Sequence, residues 1–315
     1  MDPTDESILN LLQQNGRRSN RVIARELGLP ARQVGSRIQR MLAHQEMRIL
    51  AVADMASAGF DFMLFIGIEV AGLPADEVAD ELAQIPEILS VMLTMGSCDI
   101  EVVAVADNHA SLVRLVTQDL ARVRGIRSLQ LSLGLQTLKY ATVMGPLIDR
   151  PQIPMRFPEN GRVDNMDKAI IERLWIDARS TNQTIADELG VSESAVRVRI
   201  NAMHDRNLIR ITAMRNMRVE HGEMFASIGV EVAGRSVDDV ARDLAALSNV
   251  GFVATVLGRY HILVMGLLGS AHELSELLMR QIERMPGVSK VHTSQVLNFV
   301  KYDYYWTTVI EEANA

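Results

Sequence analysis

The chain has one cysteine, Cys98, among its 315 residues. A single cysteine excludes an internal disulfide framework and any metal site built from several thiolates. The seven histidines are scattered, with no pair at i, i+4 to present a two-histidine zinc face. No metal and no cofactor are therefore expected. The opening "MDPTDES" is acidic and no apolar run follows it, so no secretory leader is read there. The most apolar long stretch, 251–269, is interrupted by Arg259, Tyr260 and His261, which suits strand, turn and strand rather than a membrane span. A cytoplasmic protein with no membrane partner is the expectation. With 48% apolar and 23% charged residues the chain reads as globular, and its length suffices for two or more domains.

What the chain does have is itself, twice. "IARELGLPARQVGSRIQRM", starting at Ile23, returns as "IADELGVSESAVRVRINAM", starting at Ile185, an offset of 162 positions. The offset holds without a gap from 5–149 onto 167–311, pairing Gly28 with Gly190, Arg37 with Arg199, "EVAG" with "EVAG", Gly96 with Gly258, and Lys139-Tyr140 with Lys301-Tyr302. A unit this long is a complete module rather than one turn of a solenoid. The proline-bearing stretch 141–166, with Pro146, Pro151, Pro154 and Pro158, reads as an extended linker.

Each module divides again. Apolar residues at Ile8, Leu9, Leu11 and Leu12 mark a first helix; Ser19-Asn20 cap a second, which Gly28 ends. Val34, Ile38 and Met41 recur at i, i+4 and i+7 as a third helix, matched by Val196, Ile200 and Met203 behind Ser192. Three helices with a short Gly-containing turn before the last form a helix-turn-helix pattern. The period then changes. "DFMLFIGIEVA", "ILSVMLTM", "DIEVVAVA" and "IRSLQLSLGLQTLKY" read as strands, with helices at 74–85 and 109–123 between them. Leu129, Leu131, Leu133 and Leu135 of the last strand fall on one face. The order βαββαβ is that of a ferredoxin-like sheet, so the fold class is α+β, in two copies. The divisions are 1–53 and 167–216 for the helix-turn-helix (winged-helix-like) domains, 54–140 and 217–315 for the ferredoxin-like domains, and 141–166 for the linker.

The last helix of such a unit lies in the DNA major groove. Its outward residues are Arg32, Gln33, Ser36, Arg37 and Arg40 in the first module, and Ser194, Arg197, Arg199 and Asn201 in the second. Arginine bonds guanine or phosphate, while Gln, Ser and Asn read base edges. Arg37 and Arg199 also have a structural role open to them, pairing with the duplicated Glu26 and Glu188. Residues 1–53 carry a net +3 and 163–218 a net +1, which leaves −11 for the rest of a chain at −7. Basic groups gathered on one face let an acidic protein bind DNA.

A helix-turn-helix reading "IAxELGxxxxxVxxRIxxM", followed by βαββαβ with a Gly-containing loop, resembles the Lrp/AsnC (feast/famine) transcriptional regulators. The resemblance spans both modules and leaves out the linker. It implies a non-enzymatic regulator of double-stranded DNA whose second domain assembles homo-oligomers, here at least a dimer of chains. It also implies a small-molecule effector, an amino acid or related metabolite, at the loop between the second and third strands. That loop is Gly96, Ser97, Cys98 and Asp99 in the first module, and Gly258, Arg259, Tyr260 and His261 in the second. His261 stands where the family pattern has Asp, which suggests that the two loops differ in ligand. The sensor sheets are expected to meet face to face, through Phe65, Gly67 and Glu69 and through Ser227, Gly229 and Glu231, within a chain or between chains. Cys98 reads as a small strand-edge residue rather than a redox sensor, and the aromatic tail (Tyr302, Tyr304, Tyr305, Trp306) as packing. Tetrapyrrole (siroheme) decarboxylases share this scaffold and are the alternative. Their Arg-x-His-x-Tyr-Asn-like context is absent from "MGSCDIEV" and only partly present in "LGRYHILV".

Overall fold

A computed structural model describes residues 1–140, 144–145, 157–158, 161, 163–216, 223–303 and 305–308. Pro146, Pro151, Pro154 and Tyr304 lie outside these residues.

The first module opens with α1 (Pro3–Gln14), whose N-terminus is closed by a reciprocal capping box between Asp2 and Asp5. In α2 (Asn20–Leu27) the Ser19 hydroxyl accepts from the Val22 N–H, and Gly28 ends the helix at φ +66°. With α3 (Ala31–Ala43) these helices bury Ile8, Leu12, Ile23, Val34, Ile38 and Met41 in one core. Then follow β1 (Met47–Asp54), the single turn α4 (Met55–Ala58), β2 (Phe62–Val70), α5 (Ala75–Leu82), β3 (Ile88–Gly96) and β4 (Ile100–Ala106). Next, α6 (His109–Arg114) passes through a π turn, Leu115–Asp119, into α7 (Leu120–Arg122), and β5 (Ile126–Tyr140) and β6 (Met144–Gly145) close the module. The second module repeats this as α8 (Asn165–Ile176), α9 (Asn182–Leu189), α10 (Glu193–Asp205), β7 (Ile209–Asn216), β8 (Met224–Val232), α11 (Val237–Ala245), β9 (Val250–Leu257) and β10 (Ile262–Leu268). It ends with α12 (Ala271–Glu276), a π turn at Leu277–Ile282, β11 (Val288–Tyr302) and β12 (Trp306–Thr307).

The two ferredoxin-like sheets, β3-β4-β2-β5 and β9-β10-β8-β11, join at both edges into one closed eight-stranded barrel. β11 pairs antiparallel with β3, and β5 with β9. Closure removes every free edge, which is how the sheets avoid pairing with foreign strands. The helices cover the outside. Leu64, Ile66 and Ile68 of β2 lie in the core beneath α5, while Phe65 points the other way, into the barrel against Phe252 at 5.5 Å between ring centroids. The face-to-face pairing expected from the sequence is therefore made inside one chain.

The long last strands do not keep their alternation. The β5–β9 register shifts between Gly134 and Gln136, and the β11–β3 register shifts between Val296 and Asn298. Each β-bulge extrudes a leucine, so Leu135 is 62% and Leu297 51% exposed. Leu135 thus leaves the face it was expected to share with Leu129 and Leu131.

A second sheet, absent from the sequence reading, ties the helical units together. Its order is β12-β1-β7-β6. β1 and β7 run antiparallel, with Leu50 opposite Thr212, its own counterpart under the 162-residue offset. An approximate twofold axis therefore passes through that pair. The tails are exchanged: β6 of the first module pairs with β7 of the second, and β12 of the second pairs with β1 of the first. Within the stretch expected to be linker, Met144–Gly145 thus forms a strand. Of the described tail aromatics, Trp306 packs as expected, buried against Phe60, Phe157 and Trp175 at 5.0, 5.7 and 6.1 Å.

Lys139 and Lys301 show why they recur. The Lys139 ammonium donates to the Ala245 and Leu247 carbonyls, and that of Lys301 to the Ile85 carbonyl. Lys139 thus sits at the C-terminal end of α11 and Lys301 just beyond that of α5, each in the other module and at a favoured site for a cation.

Candidate nucleic-acid interface and sensor loops

The two helical units meet through reciprocal arginines in their first interhelical turns. Arg17 donates to the Ala178 and Ser180 carbonyls and to Asn182 Oδ1, at 3.0, 2.6 and 3.0 Å. Arg179 answers with the Arg18 carbonyl and Asn20 Oδ1 at 3.1 and 3.5 Å. Two of the three Arg17 contacts, those to Ser180 and Asn182, thus recur 162 positions away at Arg18 and Asn20, as an approximate twofold interface requires. Together with the β1–β7 pairing they set α3 and α10 in a defined mutual orientation.

On α3, Arg32, Gln33, Ser36 and Arg40 are exposed; on α10, Ser194, Arg197 and Asn201 are exposed. Arg32 and Arg197 are exposed and form no ion pair among the described residues. Ser36 Oγ donates to the Gln33 carbonyl at 2.9 Å, and Ser194 shares a hydrogen bond with Ser192 at 3.0 Å. Sequence reasoning missed Val198, which is 63% exposed in the position of Ser36. Its place in the offset alignment is the signal that finds it.

Arg37 and Arg199 are partly exposed and held in ion pairs, but Glu26 and Glu188 are not their partners. The Arg37 guanidinium bridges Asp2 and Asp5 at 2.7 and 2.8 Å, and Arg199 bridges Asp164 and Asp167 at 2.7 Å each. Glu26 pairs instead with Arg18, and Glu188 with Arg173, both at 2.8 Å. The reason is geometric. The capping residues at the head of each first helix gather two carboxylates beside the third helix, and the arginine neutralises both. Arg37 holds the Asp2 carboxyl down at about 2. Burial pushes Asp5 upward, but the Asp2 N–H with Arg37 and Arg40 outweighs it, and the net shift is downward. The second cation on the buried aspartate comes from a different place in each module: Arg40 for Asp5, Arg206 for Asp167. Arg40 therefore combines this pairing with an exposed position.

The sensor loops lie at the seam between modules. Gly96 has φ +139°, and a Cβ there would stand 2.3 Å from the Thr293 carbonyl of β11. A Cβ on Gly258 would meet Ser132 of β5 at 2.4 Å. Only glycine admits so close a backbone approach. The Ser97 N–H donates to Ser294 Oγ at 3.3 Å, and Arg259 donates to Gln130 Oε1 at 2.5 Å.

Asp99 and His261 have one and the same task. Asp99 Oδ2 accepts the Val70 N–H at 2.8 Å, and His261 Nδ1 accepts the Val232 N–H at 2.9 Å. Both N–H groups sit where a bulge interrupts pairing with the last strand. The imidazole must be the neutral tautomer with its proton on Nε2. Neither side chain lines the cavity between the loops, so the expected ligand difference between Asp99 and His261 finds no geometric basis.

That cavity, about 40 Å3, is lined by Ser97, Cys98, Glu101, Ser227, Arg259 and Tyr260 among others. Its asymmetry comes from residues the sequence reading passed over. Glu101 of β4 faces the interior, and the matching position on β10 is Leu263. Burial pushes the Glu101 carboxyl up, against the pull of the Ser227 and Ser294 hydroxyls. Cys98 is buried and burial, with Glu101 beside it, pushes its thiol up to about 12, so it carries almost no thiolate and is a poor redox sensor. Among the described residues, no three His, Cys, Asp or Glu gather around a common metal position, and no helix is long and apolar enough to cross a membrane.

The AsnC-type helix-turn-helix signature matches residues 1–42 and again 163–204. The Lrp/AsnC ligand-binding domain matches 63–144, and a C-terminal dimeric alpha+beta barrel domain matches 224–309. An uncharacterized HTH-type transcriptional regulator of Pyrococcus furiosus is 33% identical over 143 residues, which is 45% of this chain and 97% of that one. This chain belongs to the Lrp/AsnC family. It is a DNA-binding regulator of that family in tandem form, since these relatives match a single module. The transcriptional regulator LrpA of Pyrococcus horikoshii, for instance, is 29% identical over 44% of this chain and 99% of its own. Over the full length, the fold is that of the siroheme decarboxylase NirDL: 18% identity, TM-score 0.67, covering 95% of this chain and 92% of that one.

Proposed function

We propose that one chain of this Lrp/AsnC protein carries two unlike DNA-reading heads, uses them on two different half-sites, and adjusts their engagement to a small metabolite held between the sensor loops. The observation that carries this reading is the twofold contact of the helical units combined with the unequal faces of α3 and α10. Arg32, Gln33, Ser36 and Arg40 suit guanine, adenine and phosphate, while Ser194, Val198 and Asn201, with Arg197 at the rim, suit a thymine methyl and adenine. Arg37 and Arg199 serve the heads by fixing α3 and α10 to their first helices. Selection of binding sites from a random duplex pool tests the reading, with two dissimilar half-sites as the expected product.

The effector belongs to the loop cavity, where Ser97, Glu101, Arg259 and Tyr260 converge. An acid inside and a guanidinium at the rim match a molecule with an amine and a carboxylate. A space of about 40 Å3 holds a few waters at most, so binding requires Tyr260 to swing out. Association of chains is supported by two matching apolar patches, Met95 with Leu297 and Leu257 with Leu135, all at least half exposed. A non-enzymatic role is supported by the relatives, which are named as transcriptional regulators, and by the Arg-x-His-x-Tyr-Asn-like context that "MGSCDIEV" lacks and "LGRYHILV" holds only in part.

A further inference from the structure

The barrel interior holds a second cavity, at the end facing the β12-β1-β7-β6 sheet. Its free volume is about 90 Å3, and its wall includes Phe65, Phe225, Phe252, Met63, Met92 and Met265. The rings already touch one another, Phe65 tilted against Phe252 at 5.5 Å and Tyr140 edge-to-face with Phe252 at 5.6 Å between centroids. Thioethers favour ring edges and adapt their shape to what they enclose. Among these apolar walls stand a few polar groups. The buried Ser90 hydroxyl lines the cavity and has no hydrogen-bond partner among the described residues. Tyr302 and Asp303 line it too, and the Asp303 carboxylate already accepts from the Tyr305 N–H at 3.0 Å. A buried hydroxyl left unpaired is costly and uncommon, and it marks a place where a partner is missing. Apolar cavities of roughly 150 Å3 stay dry and take benzene. This one is smaller but walled by flexible methionines.

We propose that this cavity is a binding site for a small single-ring aromatic molecule with one hydroxyl group, its ring against the Phe and Met walls and its hydroxyl on Ser90. The site is distinct from the loop cavity, although Phe65, Met92, Val103 and Met265 form the partition between them. It does not depend on the DNA-reading proposal, because it rests on the barrel alone.

Calorimetric titration of the full chain with phenol and with benzene tests it. One phenol per chain is expected, held more tightly than benzene. Ser90→Ala weakens phenol binding about fivefold, the effect of removing one neutral hydrogen bond, and leaves benzene unchanged. Leu267→Trp, which fills the cavity from β10, abolishes both. Absence of phenol binding at millimolar concentration overturns the proposal, as does equal phenol affinity in Ser90→Ala and wild type. So does undiminished binding to a folded Leu267→Trp chain; if circular dichroism shows that variant unfolded, the Ser90→Ala comparison decides alone.

Discussion

Replacing Arg37 with alanine separates a structural arginine from a DNA-reading one. Its guanidinium joins α3 to the head of α1 through two carboxylates, one exposed at Asp2 and one buried at Asp5. The Asp2 pairing is worth little because that carboxylate is nearly half exposed. The Asp5 pairing is a charge-assisted bond to a carboxylate 1% exposed, for which about 1.5–3 kcal/mol is typical. Arg40 remains on Asp5 and reduces the loss. A cost of about 2 kcal/mol follows. If the helical unit melts separately, that lowers its transition by roughly 10 °C, at about 4–8 °C per kcal/mol for a small domain. Arg37→Lys recovers only part, since one ammonium cannot reproduce the planar fork. The assay is thermal unfolding by circular dichroism, beside DNA affinity measured well below the melting transition. An unchanged transition with a large loss of DNA affinity would refute the reasoning and return Arg37 to the groove.

Arg32→Ala and Arg197→Ala are expected to leave the melting curve unchanged and to lower the slope of log affinity against log salt, by about one unit for every phosphate no longer neutralised; titrations at several salt concentrations check this. Asp303 is partly buried, and desolvation raises its carboxyl to about 6. Its ionisation therefore opposes folding: the penalty is absent below about pH 4, grows between about pH 4 and 6, and is complete above. Asp303→Asn should stabilise the chain at about pH 7.5, by about 1–2 kcal/mol after allowance for partial exposure, and have no benefit at about pH 3.5, which denaturant melts at both pH values would show. Leu135→Asp with Leu297→Asp should lower the sedimentation mass of any assembly without changing the barrel; an unaltered mass removes these leucines from the interface. His261→Asp should keep stability while His261→Ala loses about 0.5–1 kcal/mol, one backbone hydrogen bond at a partly wet site; equal stability of all three chains would deny the shared task of Asp99 and His261.

Local chemistry made much of this molecule legible. The 162-residue offset exposes two modules before any helix is assigned, and the capping residues Ser19, Gly28 and Ser192 stand at the helix ends where their chemistry puts them. The alternation in β2 sorts Leu64, Ile66 and Ile68 from Phe65 correctly, because each face of that strand has a single kind of neighbour. Long-range partners were not legible. Asp5 and Arg37 are separated by 32 residues, and Glu26 was the nearer repeated acid. β1 has no polar alternation to announce a strand, since both of its faces are buried by the second module and the exchanged tail. The bulges that expel Leu135 and Leu297 depend on how two sheets close around a barrel, a constraint no single strand carries. Glu101 was overlooked because one acid in an apolar strand reads as a solvent-facing position, and only closure turns it inward.

The central claim is that one chain presents two different heads to one stretch of DNA. Binding sites selected from a random duplex pool by the wild-type protein, then by Arg32→Ala and by Arg197→Ala, test that claim most directly. The prediction is two dissimilar half-sites separated by about 10 bp or a multiple of it, with Arg32→Ala relaxing preference in one half-site only and Arg197→Ala in the other. A perfect palindrome whose two halves respond alike to both substitutions would contradict it.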